Sequence, residues 1–211
     1  MSNNSNEMAA AQVNGDGDDD ALLQRKPRMG MLTVGEKIEQ AELLKLQANV
    51  LVKRGEFKAA TTKYARVFAY VNGISTQGDA MAQYASRSAH MSASEAEGDA
   101  IQALKIACWS NMALCQLKLG HGERAVEFCD KVLAEDETHS KALFRKAQGL
   151  ALLSHYDRAQ TLLTQLAALE PQNAAVRREL KALAVAKKKY EQDARASSSF
   201  NNMFNKKGGI F

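Results

Sequence analysis

Proline is nearly missing from this sequence, with two in 211 residues. A chain so poor in it suits long uninterrupted helices, because proline removes a backbone donor and clashes with the preceding turn. Cysteine is scarce too. Cys108, Cys115 and Cys129 are an odd number without a Cys-x-x-Cys pair, which points away from a disulfide framework or a zinc site and toward reduced core thiols. No apolar run approaches the roughly 18 residues of a membrane span. The first residues lack the charged-then-apolar pattern of a signal peptide, so the cytoplasm is the expected compartment and no membrane insertion is expected. Enzymatic signatures are missing as well. His90, His121, His139 and His155 are scattered, with no nucleophile motif, glycine-rich phosphate loop or paired carboxylates beside them. The expectation is a binding protein rather than an enzyme, with no cofactor and no metal.

With 45% hydrophobic residues, the chain is long enough for one well-buried domain. The net charge of +4 is unevenly spread: residues 1–31 carry three Arg or Lys against five Asp or Glu, whereas 174–211 carry nine against three. No basic-aromatic pattern or recognised motif accompanies that charge, so nucleic acid is not an expected partner. Residues 1–33 are Asn, Gly, Asp, Ser and Ala with few large apolar side chains, which predicts a disordered tail. The run Asp16-Gly17-Asp18-Asp19-Asp20 lacks the Glu that a calcium loop needs at its twelfth position and reads as a solvated acidic stretch.

Internal repetition organises the rest. Ala48, Ala113 and Ala147 stand 65 and 34 apart, and so do Ala60, Ala125 and Ala159, while Gly55 and Gly120 are again 65 apart. Three units follow, 41–74, 106–139 and 140–173, with an insertion at 75–105. Each has a small residue in the middle of two successive helices, which lets the helices approach closely, and the glycines suit the turn between them. From the end of the insertion into the second unit, Ala100 to Leu119 reads as one long helix, a lengthened first helix of that unit preceded by a loose loop. After Pro171, Val176, Leu180, Leu183 and Tyr190 fall at helical spacing and predict a capping helix over 174–195, followed by a flexible tail over 196–211.

This pattern resembles the tetratricopeptide repeat (TPR). The family's bulky first-helix position falls on Leu44, Trp109 and Leu143, and its second-helix position on Tyr64, Cys129 and Leu163. Trp109 then reads as a core anchor. The resemblance implies an all-α fold, a right-handed superhelix of three helix-turn-helix repeats plus a capping helix, in one domain over 34–195. First helices would line its concave face.

On those first helices Lys45 and Asn49, and Lys141 and Arg145, form i, i+4 pairs that each share one helical face, and Asn111 lies on the helix between them. A carboxylate offers only acceptors; Lys supplies a rotatable charged donor, Arg a planar fork and Asn a neutral amide donor. The stretches Leu44-Lys45-Leu46-Gln47-Ala48-Asn49, Ser110-Asn111 and Lys141-Ala142-Leu143-Phe144-Arg145 resemble the dicarboxylate clamp of chaperone-binding TPR proteins. That resemblance implies an adaptor or co-chaperone that binds the Glu-Glu-Val-Asp C-terminus of heat-shock proteins 90 and 70. Lys45, Asn49 and Asn111 would hold the main-chain carboxylate, with Lys141 and Arg145 on side-chain and backbone contacts.

The chain is also similar to the TPR domains of large immunophilins and their short relatives, through the insertion and through Phe200-Asn201-Asn202-Met203-Phe204, a motif that implies chaperone contact and, more loosely, calmodulin. The Lys/Glu-rich stretch expected before that motif is replaced by Ala196-Ser197-Ser198-Ser199. Large immunophilins carry a prolyl-isomerase domain ahead of their repeats, and the residues before the first repeat here are too few and too polar to form one. Two alternatives stand beside the clamp: a scaffold for other protein partners, and calmodulin binding by the basic C-terminal helix.

Overall fold

A computed structural model describes residues 17–76 and 92–207, with residues 198–207 described by their backbone alone. They form two compact units, one ending at Leu119 and the other starting at Gly120, where the repeat register expects a single domain.

In the first unit, helix α1 (Val34–Lys53) starts where Thr33 supplies a capping box: its hydroxyl accepts from the Glu36 amide at 3.3 Å, and the Glu36 carboxylate accepts from the Thr33 amide at 2.9 Å. The helix stops at Arg54, and Gly55 takes φ of +78°, the left-handed conformation that turns the chain into α2 (Phe57–Val71). The same devices frame α3 (Glu95–Lys118): Ser94 and Glu97 form a second capping box, and Gly120 ends the helix with φ of +76°. That box explains why α3 begins at Glu95, ahead of the expected Ala100. A parallel pair of two-residue strands, β1 (Ser75–Thr76) and β2 (Ser92–Ala93), bridges the ends of the insertion, whose residues 77–91 lie outside the described ones.

The first core is built where the repeat register puts small and bulky residues. Leu44, Ala48, Ala60, Tyr64, Val67, Val71 and Cys108 are fully buried among α1, α2 and α3. Each large apolar side chain so removed from water contributes about 1.5–3 kcal/mol. Trp109 is half-buried and stacks on Phe68, with ring centroids 5.4 Å apart.

In the second unit, α4 (Gly122–Glu135), α5 (Ser140–Leu152), α6 (Tyr156–Leu169) and α7 (Ala174–Lys207) pack in sequence. Leu143, Ala147, Leu150, Ala159, Leu163, Leu166, Val176 and Leu183 form its core. The left-handed turn after α5 falls on Ser154, with φ of +61°, at the register position that Gly55 and Gly120 occupy above. Helices α4 and α5 meet at glycines: a Cβ on Gly122 would lie 2.9 Å from the Gly149 carbonyl oxygen. The histidines that look scattered in the sequence stand at helix N-cap positions, His121 before α4, His139 before α5 and His155 before α6, and of these His139 caps through its side chain. His90 lies outside the described residues.

Two expectations about the ends need correction. Residues 17–33, assigned to a disordered tail, form a docked strap that is helical over 17–24. The Gln47 amide donates to the carbonyls of Leu22 at 2.8 Å and Arg25 at 2.7 Å, and Lys63 donates to the Gln47 carbonyl oxygen at 2.7 Å. Arg54 pairs with Asp20 at 2.6 Å, the Arg28 amide donates to Gln40, and Tyr70 donates to the Arg28 carbonyl. Leu32 is buried as well. Polar composition did not preclude order here, because the strap is held mostly through its main chain. Residues 1–16 lie outside the described ones. At the other end, the helix expected to stop at residue 195 runs on to Lys207, through Ala196 to Ser199, in place of a flexible tail. Nothing there breaks it, since the stretch holds neither Pro nor Gly before residue 208. The side chains of Phe200, Met203 and Phe204 lie outside the description, as do residues 208–211.

Candidate functional site

Of the five candidate donors, three belong to the first unit. Lys45 and Asn49 project from one face of α1, one turn apart, and Asn111 reaches them from α3: its side-chain nitrogen donates to Asn49 Oδ1 at 3.3 Å. The same oxygen accepts a hydrogen bond from Tyr64 on α2, at 2.6 Å. Lys45 is paired within its own helix, with Nζ 2.5 Å from a Glu42 carboxylate oxygen. Its charge is felt on α3. Burial pushes the Cys108 thiol up to about 12, with Lys45 pulling the other way and Glu42 reinforcing the rise.

The strap leaves this face of α1 clear. Gln40, Gln47 and the C-cap Arg54, three of its anchors, recur every seven residues and so form one stripe along the helix, and Glu36, which pairs with Arg28, lies one turn before Gln40. Gln47 is two residues from both Lys45 and Asn49, which places it about 160° round the helix from each.

The other two donors lie on α5 in the second unit. Lys141 is exposed and Arg145 half-buried, one turn apart on the same face. The start of α5 is well fixed. His139 Nδ1 accepts from the Ala142 amide at 3.2 Å, and Ser140 donates to Glu170, whose other carboxylate oxygen takes a bond from Asn173 at 2.7 Å. These bonds, that of Ser140 first, hold the Glu170 carboxyl below the usual carboxylate range. Arg145 stands near Cys129 on α4. Burial pushes that thiol up to about 12, with Arg145 as the largest opposing influence, followed by Asp130, which raises it, and Lys146, which lowers it. Lys146 is itself bound to Asp130 at 2.6 Å.

The first unit thus presents cationic and amide donors and the second cationic ones, each suited to an acceptor-only ligand. Among the described residues no group of three His, Cys, Asp or Glu side chains is placed to hold a metal, and no helix is long and apolar enough to cross a membrane. Two participants escaped the sequence reading. Glu42 sits three residues before Lys45, a helical pairing distance that could have been noticed. Tyr64 reads in the repeat register as a packing residue, and nothing in its spacing signals that its hydroxyl meets Asn49.

No protein-family model matches the chain. In sequence it is 32% identical over 165 residues to peptidyl-prolyl cis-trans isomerase FKBP42 of Arabidopsis thaliana, across 78% of this chain and 41% of that protein. It spans less than half the length of the relatives it matches in sequence. In structure it is similar to the C-terminal TPR-containing domain of a Plasmodium falciparum FK506-binding protein, with a TM-score of 0.63 at 22% identity, over 76% of this chain and 97% of that domain. The second TPR domain of human RPAP3, solved in complex with the HSP70 peptide SGPTIEEVD, matches with a TM-score of 0.51 at 21% identity, over 70% of this chain and 98% of that one. At those identities the structural likeness speaks for the fold. The chain therefore carries the all-α tetratricopeptide-repeat fold and resembles the TPR domains of large immunophilins.

Proposed function

We propose that the chain is a non-enzymatic co-chaperone adaptor that binds the acidic C-terminal peptide, of the Glu-Glu-Val-Asp type, of heat-shock proteins 90 and 70. The observation that carries this reading is the amide pair Asn49 and Asn111 beside Lys45, two neutral donors and one charged donor grouped on α1 and α3. A terminal carboxylate is the ligand such a set serves best. Lys141 and Arg145 supply the remaining contacts, to the acidic side chain and the peptide backbone. Support also comes from the RPAP3 domain of the same fold, whose ligand ends in that motif. Three buried cysteines that form no disulfide suit a reducing compartment, which favours the cytoplasm.

Each charge-assisted bond contributes roughly 1.5–3 kcal/mol. After ordering costs, a handful of them on a short peptide gives about micromolar affinity, near −8 kcal/mol. Calorimetric titration of the chain with a peptide ending in Glu-Glu-Val-Asp, and with its C-terminally amidated twin, tests the reading. The acid should bind and the amide should lose most of the affinity; equal affinities would sink it. Detection of prolyl-isomerase activity in the chain would overturn the non-enzymatic part.

A second reading concerns α7. From Lys188 to Ser197 this helix is exposed, and it carries Lys188, Lys189 and Arg195 beside an exposed Val185 and Tyr190. Such a basic helix with apolar points suits calmodulin. Calcium-dependent retention of the chain on immobilised calmodulin, lost on deleting residues 184–207, is the expected outcome.

A further inference from the structure

A side-chain amide has two nearly isosteric orientations with opposite chemistry. One presents two N–H donors and the other a carbonyl acceptor. Facing a carboxylate, the first forms a hydrogen bond and the second sets oxygen against oxygen. An asparagine that receives a carboxylate therefore gains from anything that holds its own oxygen elsewhere.

In the first unit that oxygen is held. Tyr64 is fully buried on α2, and its hydroxyl stands 2.6 Å from Asn49 Oδ1. Asn111 Nδ2 approaches the same atom at 3.3 Å. A carbonyl oxygen has two lone pairs, and two donors occupy them. With Oδ1 engaged, the Asn49 nitrogen and its two hydrogens remain for an incoming acceptor. Turning the Asn49 amide over would bring its nitrogen against Asn111 Nδ2, donor against donor, so Asn111 would have to turn as well. A tyrosine hydroxyl can also accept, so Tyr64 alone would tolerate either orientation; from a ring locked in the core it pins one end of the amide, and Asn111 Nδ2 makes that end the oxygen.

We propose that Tyr64 is a positioning residue for the peptide site: its buried hydroxyl pins the Asn49 amide in place, in the orientation that Asn111 sets, so that this side chain offers donors to a terminal carboxylate. The inference rests on the clamp reading and adds the element that makes the site selective for an acid over an amide. Tyr64 touches no ligand in this scheme. It acts through Asn49, and the selectivity is written in the second helix of the repeat as well as the first.

The test is a double-mutant cycle on the full chain, read by calorimetry with the acid peptide and its amidated twin. Tyr64→Phe removes one oxygen and keeps the ring. It should lower the acid-over-amide affinity ratio by about tenfold. In an Asn49→Ala background, the same substitution should change the ratio by less than about twofold, because the group it orients is gone. A merely structural tyrosine would act equally in both backgrounds, and that result overturns the proposal. So does a Tyr64→Phe chain that retains the full ratio. The clamp reading is judged separately by the unmutated chain and by Lys141→Ala: no acid preference in the former and no loss of affinity in the latter defeats the reading, and the positioning role falls with it. Should the Phe variant fail to fold, the Asn49 side-chain amide resonance of the unmutated protein decides the matter. Its protons should shift on adding the acid peptide and stay in place with the amidated one; an unmoved resonance in both titrations overturns the proposal.

Discussion

The two units build the same helix hairpin with different local chemistry. In the first, α1 and α3 open on Thr-x-x-Glu and Ser-x-x-Glu capping boxes and close on glycines in the left-handed conformation. In the second, α5 opens on a histidine cap and closes on Ser154, a residue with a Cβ in a conformation that penalises one. Their tight points differ too. Phe57, Gly122 and Tyr156 occupy one register position, the start of a second helix, and at Gly122 the Gly149 carbonyl oxygen lies 2.9 Å from where a Cβ would stand. The repeat conserves geometry rather than residue type. Each unit solves capping, turning and close approach with whatever side chains it has. The charges contrast as well: Lys45 is neutralised by Glu42, and Lys141 stands exposed.

The substitution that strikes this contrast hardest is Gly122→Ala. Its Cβ would meet the Gly149 carbonyl oxygen at 2.9 Å, Leu153 Cγ at 3.0 Å and Leu152 Cβ at 3.2 Å. Chemical denaturation should show a loss of about 2 kcal/mol, the overpacking cost less the better helix propensity of alanine. The matching Phe57→Ala should show no such clash. A stable Gly122→Ala protein would mean that α4 and α5 can part easily.

Next in size is an effect the two units share. Cys108 and Cys129 are each raised to about 12 by burial, from an ordinary thiol value of 9.0. Below the lower value both folded and unfolded thiols are neutral and nothing changes. Between the two values the unfolded chain releases protons that the folded one keeps, so stability falls as pH rises. At pH 10 the loss should be about 1 kcal/mol per thiol. Thermal denaturation of the parent against Cys108→Ala and Cys129→Ala variants checks it. Equal alkaline losses in all three would move the cause elsewhere.

Ser154→Gly should make the third turn resemble the first two and add somewhat under 1 kcal/mol, the relief of strain less the greater entropy of an unfolded glycine. A lower melting temperature would show that the serine side chain stabilises the turn. The smallest effect addresses charge. Glu42→Gln frees Lys45 from a partly exposed ion pair and should tighten peptide binding by about 0.5 kcal/mol at low salt, fading as salt rises. Calorimetry at two ionic strengths would read it.

The repeat helices were legible because their signal is local and doubled: small residues at fixed intervals, turn glycines, and a spacing seen more than once. The candidate donors were legible for the same reason, since register assigns each to a face. Tyr64 was not, because its role depends on a tertiary meeting between α2 and α1 that no periodicity encodes. The helix through Ala196-Ser197-Ser198-Ser199 was missed for another reason, that serine is a weak helix former and the stretch offers no apolar stripe to read. The strap was hidden more thoroughly. Its order depends on main-chain oxygens, which every residue has and no sequence pattern displays.

Anchorage through main-chain oxygens shapes how the chain can drift. Gln47 grips the carbonyls of Leu22 and Arg25, not their side chains. The identities at 22 and 25 are therefore free to change while both bonds persist, and the specification of this anchorage resides in a single buried glutamine one helix away. A segment that looks the least informative in its composition is thus held in place by information stored elsewhere.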